Sequence, residues 1–65
     1  MMYATFQGKR ATLYTETKQF VRQFNVPSEI VNVQVQGFGN DAVVAIAMKN
    51  GRTILYSATG RLIRS

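Results

Sequence analysis

Glu16, Glu29 and Asp41 are the only side-chain carboxylates in the chain, which contains neither histidine nor cysteine. General acid–base catalysis, nucleophilic catalysis and zinc binding each need side chains that are missing or too sparse here: no imidazole, no thiolate, and no two carboxylates near each other in sequence. Glu16 and Glu29 fall beside an expected helix start and the Pro27 turn, where capping is the commoner job. What can still act is cationic or aromatic. Lys9 and Arg10 follow the first expected turn, Lys49 and Arg52 bracket the second, Arg61 and Arg64 occupy the tail, and Lys18 and Arg22 share one face of the expected helix. Tyr3 and Tyr14 add an aromatic pair. Basic tips with exposed aromatics suit phosphate contacts and base stacking. The residues therefore predict a small non-enzymatic binding protein that grips nucleic acid through basic hairpin tips and a helix face, with no cofactor, no metal and no small-molecule substrate. The alternative is a protein-binding accessory or inhibitor module that docks on an acidic protein through an apolar hairpin and a sheet edge.

These groups must be positioned by very little chain. Sixty-five residues make a single small domain, residues 1–65, with a thin stability margin. Folds of this size usually lean on disulfides, a metal or association. Without cysteine and histidine, self-association remains, so a homo-oligomer is expected. Eight Lys/Arg against three Asp/Glu give a net charge of +5, a surface potential that attracts polyanions or acidic proteins. No apolar run reaches transmembrane length and Met1-Met2-Tyr3 has no leader character, so the expectation is a cytoplasmic protein with no membrane partner.

Alternation and turn chemistry place the elements. Tyr3–Gln7 and Arg10–Tyr14 flank Gly8-Lys9, a Gly-X loop suited to a type II′ turn. Pairing Gln7 with Arg10 puts Phe6/Ala11 and Ala4/Leu13 on one face and Tyr3/Tyr14 and Thr5/Thr12 on the other. From Glu16 to Phe24, Phe20, Val21 and Phe24 recur at helical spacing, with Thr15 as N-cap and Asn25 and Pro27 as the stop. A competing start near Thr12 would put Leu13 and Thr17 on the same stripe. Ile30–Gln36 alternates, Val31, Val33 and Val35 against Asn32, Gln34 and Gln36, as a strand with one dry face. Ala42–Lys49 and Arg52–Ser57 surround Asn50-Gly51, a type I′ signal, and Arg61–Arg64 follows the Ala58-Thr59-Gly60 turn as a short last strand. No internal repeat stands out. The fold expected is α+β, one helix on a small antiparallel sheet in ββαβββ order with a possible short final strand.

The Asn50-Gly51 hairpin is apolar on both faces: a type I′ register groups Val43, Ala45, Ala47, Ile54 and Tyr56 against Val44, Ile46, Met48 and Leu55. Either the first hairpin curls over the second face, or a second chain covers it; Val44, Ile46, Met48, Leu55 and Phe38 are the candidate partner or dimer face. Phe38 is either a lid on the core or an exposed anchor. Gly37-Phe38-Gly39 resembles the middle of the RNA-reading motif of RRM and cold-shock domains, but Gln36, Asn40 and Asp41 replace its basic, aromatic and aliphatic positions, which excludes both families. Tyr56-Ser57-Ala58-Thr59-Gly60-Arg61-Leu62-Ile63 resembles the close of PepSY-type domains, with Ser57 or Ala58 where an aspartate is expected. That resemblance implies only a topology, a helix followed by strands.

Overall fold

Short segments rich in valine, isoleucine, threonine and aromatics, each ended by a turn, fold as strands throughout. The computed structural model describes residues 1–65. Strands β1 (Tyr3–Gln7), β2 (Arg10–Tyr14) and β3 (Phe20–Asn25) form one antiparallel sheet in chain order. Strands β4 (Ile30–Gln36), β5 (Val43–Met48), β6 (Thr53–Ser57) and β7 (Leu62–Arg64) form a second. One 3₁₀ turn, Gly39–Asp41, is the only helical element, and no helix is long and apolar enough to cross a membrane.

The α+β expectation is therefore corrected to an all-β fold of two antiparallel sheets, and the helix-then-strands topology implied by the PepSY resemblance is absent as well. Thr15, read as a helix cap, closes a hairpin turn instead. Its Oγ1 accepts from the Thr17 and Gln19 N–H groups at 3.3 and 3.1 Å, its N–H donates to the Gln19 carbonyl at 2.9 Å, and Lys18 takes φ +70. The helical spacing of Phe20, Val21 and Phe24 has a different origin. Tyr14 pairs with Phe20 and Leu13 with Arg22, leaving Val21 as the extra residue of a β-bulge. A bulge breaks strict alternation, so a bulged strand mimics a helical period. A nine-residue helix also has little stability of its own without a tertiary face to bury.

The β1–β2 hairpin has the expected register, Tyr3↔Tyr14 through Gln7↔Arg10, with Gly8 at φ +61. The β5–β6 hairpin does not. Only Gly51 has positive φ, +89; the Met48 N–H donates to the Arg52 carbonyl and the Gly51 N–H to the Met48 carbonyl. This is a three-residue loop, a type I turn followed by a left-handed glycine, instead of a two-residue type I′ turn. The extra residue slips the register by one and exchanges faces for all of β6. Ile54 now faces Ile46 and Tyr56 faces Val44, while Leu55 faces Ala45 on the opposite side. β4 also carries a bulge, at Val31, so Ile30 is buried and Val31 is exposed.

The two sheets share one core. Ala11, Leu13 and Phe24 from the first meet Ile30, Val44, Ile46, Met48 and Ile54 from the second, with Val26, Ala42 and Ala58 from the connections. The Phe24 and Tyr56 rings stack across the layers at 4.7 Å. β1 lies beside β4, and the first hairpin turn is tied there by the Ile30 N–H on the Gly8 carbonyl (2.8 Å) and the Val26 N–H on the Lys9 carbonyl (3.0 Å). On the other side Arg22 reaches from β3 across the β6–β7 turn. A Cβ on Gly60, whose φ is +92, would stand 2.8 Å from its Nη1.

A repeat missed in the sequence becomes visible once the registers are known. Ala4↔Leu13, Thr5↔Thr12 and Phe6↔Ala11 match Ala45↔Leu55, Ile46↔Ile54 and Ala47↔Thr53; Tyr14↔Phe20 and Leu13↔Arg22 match Tyr56↔Leu62 and Leu55↔Arg64, bulges included. The β2–β3 and β6–β7 turns match too. The Ser57 N–H donates to the Arg61 carbonyl and Ser57 Oγ accepts from the Arg61 N–H, as Thr15 does with Gln19. Arg10/Arg52, Leu13/Leu55, Tyr14/Tyr56, Thr17/Thr59 and Arg22/Arg64 are identical pairs at one constant offset. Thus β1–β2–β3 and β5–β6–β7 are two copies of one meander, with β4 between them, and their equivalent faces point oppositely. Leu13 faces the core and Tyr14 the outside, whereas Tyr56 faces inward and Leu55 outward.

Candidate nucleic-acid interface

The outer face of β1–β2–β3 is the surface with most chemical character. Three cross-strand rows lie on it: Tyr3, Tyr14 and Phe20; Thr5, Thr12 and Gln23; Gln7, Arg10 and Asn25. Tyr3 and Tyr14 stack at 5.3 Å with 21° between ring planes, and Phe20 beside them is 64% exposed. Arg10 is the only charged group on the face. It lies four residues along β2 from Tyr14, about 13 Å at the usual rise of a strand. Thr5, Gln7, Arg10, Thr12, Tyr14 and Gln23 line a shallow depression between the aromatic row and the arginine.

Four cations gather at one end of the molecule. The β1–β2 turn brings Lys9 and Arg10, and the β5–β6 turn brings Lys49 and Arg52. The β3–β4 loop joins them: the Lys49 N–H donates to the Glu29 carbonyl at 2.7 Å, and Lys9, Glu29 and Lys49 border a common depression. Glu29 is the one acid there, 4.0 Å from Lys49 Nζ, and both side chains are largely exposed.

The remaining expected site residues do not join this cluster. Lys18 sits in the β2–β3 turn and Arg61 after the β6–β7 turn, at the opposite end, where Glu16 pairs with the Met1 amino group at 3.1 Å. Lys18 and Arg22 share no helix face, since there is no helix; Arg22 lies over Gly60. Arg64 faces Leu55 on the outer side of the second sheet. Of the expected partner face, Val44, Ile46 and Met48 are interior residues beneath the first sheet, so they present no surface. Leu55 is half-buried on the opposite face, and Phe38 is 81% exposed, so it is no lid on the core.

Sequence reasoning missed Phe20 as a neighbour of Tyr14, because a helix assignment separates them; the Thr15-x-Thr17 turn residues were the available signal. No protein-family model, curated protein or solved structure matches the chain.

Proposed function

We propose that this protein is a non-catalytic, cytoplasmic nucleic-acid-binding module that takes single strands on the outer face of β1–β2–β3. The observation that carries this reading is the Tyr3–Tyr14–Phe20 row, with Tyr3 and Phe20 exposed and Tyr14 half-buried between them, on a face whose only charge is Arg10, with Lys9, Lys49 and Arg52 at the adjoining end. Exposed rings on a sheet offer stacking partners to bases, each worth about 1–3 kcal/mol, and cations spaced along the strand path meet phosphates. A duplex keeps its base faces covered, so the aromatic row favours unpaired strands.

Fluorescence anisotropy with a labelled mixed oligonucleotide tests the reading. Single strands should bind more tightly than the matching duplex, and affinity should fall with salt at a log–log slope of about −2 to −3 for three or four phosphate contacts. Tyr14→Ala should weaken binding about 5- to 150-fold, corresponding to one lost stacking partner. Absence of binding at low salt removes the reading. Equal affinity for duplex and single strand, unaffected by Tyr14→Ala, removes the stacking surface and leaves only the basic end.

A second reading, an acidic protein partner, is favoured by Phe38, which stands exposed between glycines where it contributes nothing to the core. Capture that persists after nuclease treatment of a lysate and is lost with Phe38→Ala would support it over nucleic acid.

A further inference from the structure

We infer that the depression between the aromatic row and Arg10 is a base-reading site for guanine in an unpaired strand, with Arg10 as the residue that sets the preference; the inference rests on the single-strand reading above. Arg10, Thr12 and Tyr14 alternate along β2, the middle strand of the first sheet, so their side chains leave the same face in steps of about 6.6 Å. The depression they border has a volume of about 250 Å³, room for one base. Its polar side chains are not engaged elsewhere. No ion pair or side-chain hydrogen bond in the protein involves Thr5, Gln7, Arg10, Thr12 or Gln23. Position separates Arg10 from the other cations: Lys9, Lys49 and Arg52 stand in or beside the turns and are left for phosphates, whereas Arg10 is paired within the sheet between Gln7 and Asn25, where bases lie.

The donor pattern selects the base. A guanidinium only donates, and the three rows of this face hold no carboxylate to accept. A base seated on the aromatic row therefore gains most when the edge it turns to Arg10 carries two adjacent acceptors, as guanine does at N7 and O6, where an arginine binds bidentately. Adenine sets its N6 amino group beside N7 and would oppose donor to donor. Thymine and uracil offer only the O4 acceptor on that edge. Cytosine has an adjacent acceptor pair, N3 and O2, but on a single ring with less surface to stack. The amides of Gln7 and Gln23 donate or accept as the rest of the base requires.

Fluorescence anisotropy on the full chain, with short oligothymidine strands carrying one central guanine, adenine, cytosine or 7-deazaguanine, tests the inference. The guanine strand should bind about 5- to 150-fold more tightly than the adenine strand. The 7-deazaguanine strand, which keeps the stacking surface but lacks the N7 acceptor, should lose most of that advantage. Arg10→Gln should abolish the guanine preference and leave the salt slope of the guanine strand unchanged, whereas Lys9→Gln should weaken every strand alike, flatten the slope by about 0.7 and keep the preference. Circular dichroism reports whether each variant is folded, and the 7-deazaguanine comparison needs no variant. Binding without a guanine preference, a preference for cytosine or adenine, a preference that survives 7-deazaguanine or Arg10→Gln, or a slope flattened by Arg10→Gln would each overturn the guanine site and leave the single-strand reading standing. Absence of binding to every strand would remove both.

Discussion

The meanders β1–β2–β3 and β5–β6–β7 share their pairing registers, their bulges and the hydroxyl-closed turn before the last strand, yet they bury opposite faces. In the first, Leu13 is fully buried and Tyr14 stands outside; in the second, Tyr56 turns toward Phe24 and Leu55 turns out. Their first turns differ by one residue, two in the Gly8-Lys9 loop and three in Lys49-Asn50-Gly51. Turn length decides which residues share a face, but the strand-pairing register common to the two copies does not choose which face is interior. Side-chain polarity does: threonine and glutamine mark the wet face of one copy where isoleucine and methionine fill the dry face of the other.

The most direct way to break this comparison is to truncate the equivalent leucines. Leu13→Ala should cost about 2–5 kcal/mol, enough to unfold a domain whose core supplies roughly 3–5 kcal/mol, whereas Leu55→Ala in the monomer should cost less than about 1.5 kcal/mol. Thermal melts at the lowest workable concentration decide this. Equal losses would mean that both faces are interior already.

The matched turns offer a smaller test of opposite sign. Lys18 and Gly60 hold the same left-handed place, at φ +70 and +92, but only Gly60 lies under an arginine. Gly60→Ala should destabilise by about 1–3 kcal/mol, through backbone strain and displacement of Arg22. Lys18→Gly should stabilise by about 0.5–1 kcal/mol, since relief of the left-handed strain outweighs the added freedom of the unfolded chain. Urea titration of the two variants gives both signs. A loss with Lys18→Gly would show that the lysine side chain is held by something beyond its turn.

The smallest effect should come from the basic end. Lys49→Ala removes an exposed pair at 4.0 Å, so stability should stay within about 0.5 kcal/mol of wild type. The same variant should weaken oligonucleotide binding modestly and flatten its salt slope by about 0.7, one phosphate contact. A large fall in stability would mean that the turn depends on the Lys49 side chain, beyond its backbone bond to Glu29.

Much of the strand framework was legible. Gly8-Lys9 located a hairpin and its register, and alternation located Ile30–Gln36. Asn50-Gly51 marked a turn but not its length, because Asn-Gly serves both a two-residue type I′ loop and the end of a three-residue loop. Here the Asn50 Oδ1 accepts from the Arg52 N–H at 2.9 Å and the longer loop stands. Glu16–Phe24 was misread since a bulge at Val21 and a helical period give the same apolar spacing. The repeat stayed hidden because equivalent positions serve opposite environments, so Thr12 and Ile54, or Thr5 and Ile46, show no likeness until the registers align them.

By itself the sequence determined the Gly8-Lys9, Asn50-Gly51 and Ala58–Gly60 turn sites, the balance of charge, the shortage of catalytic side chains, and the pairing that places Tyr3 beside Tyr14. These depend on dihedral preference, charge and residue type, which act over a few residues. Only the tertiary structure decided that Phe20 extends the tyrosine row, that Val44, Ile46 and Met48 lie inside, and that Leu55 lies outside. Those outcomes depend on which sheet covers which, and burial is a property of distant segments brought together.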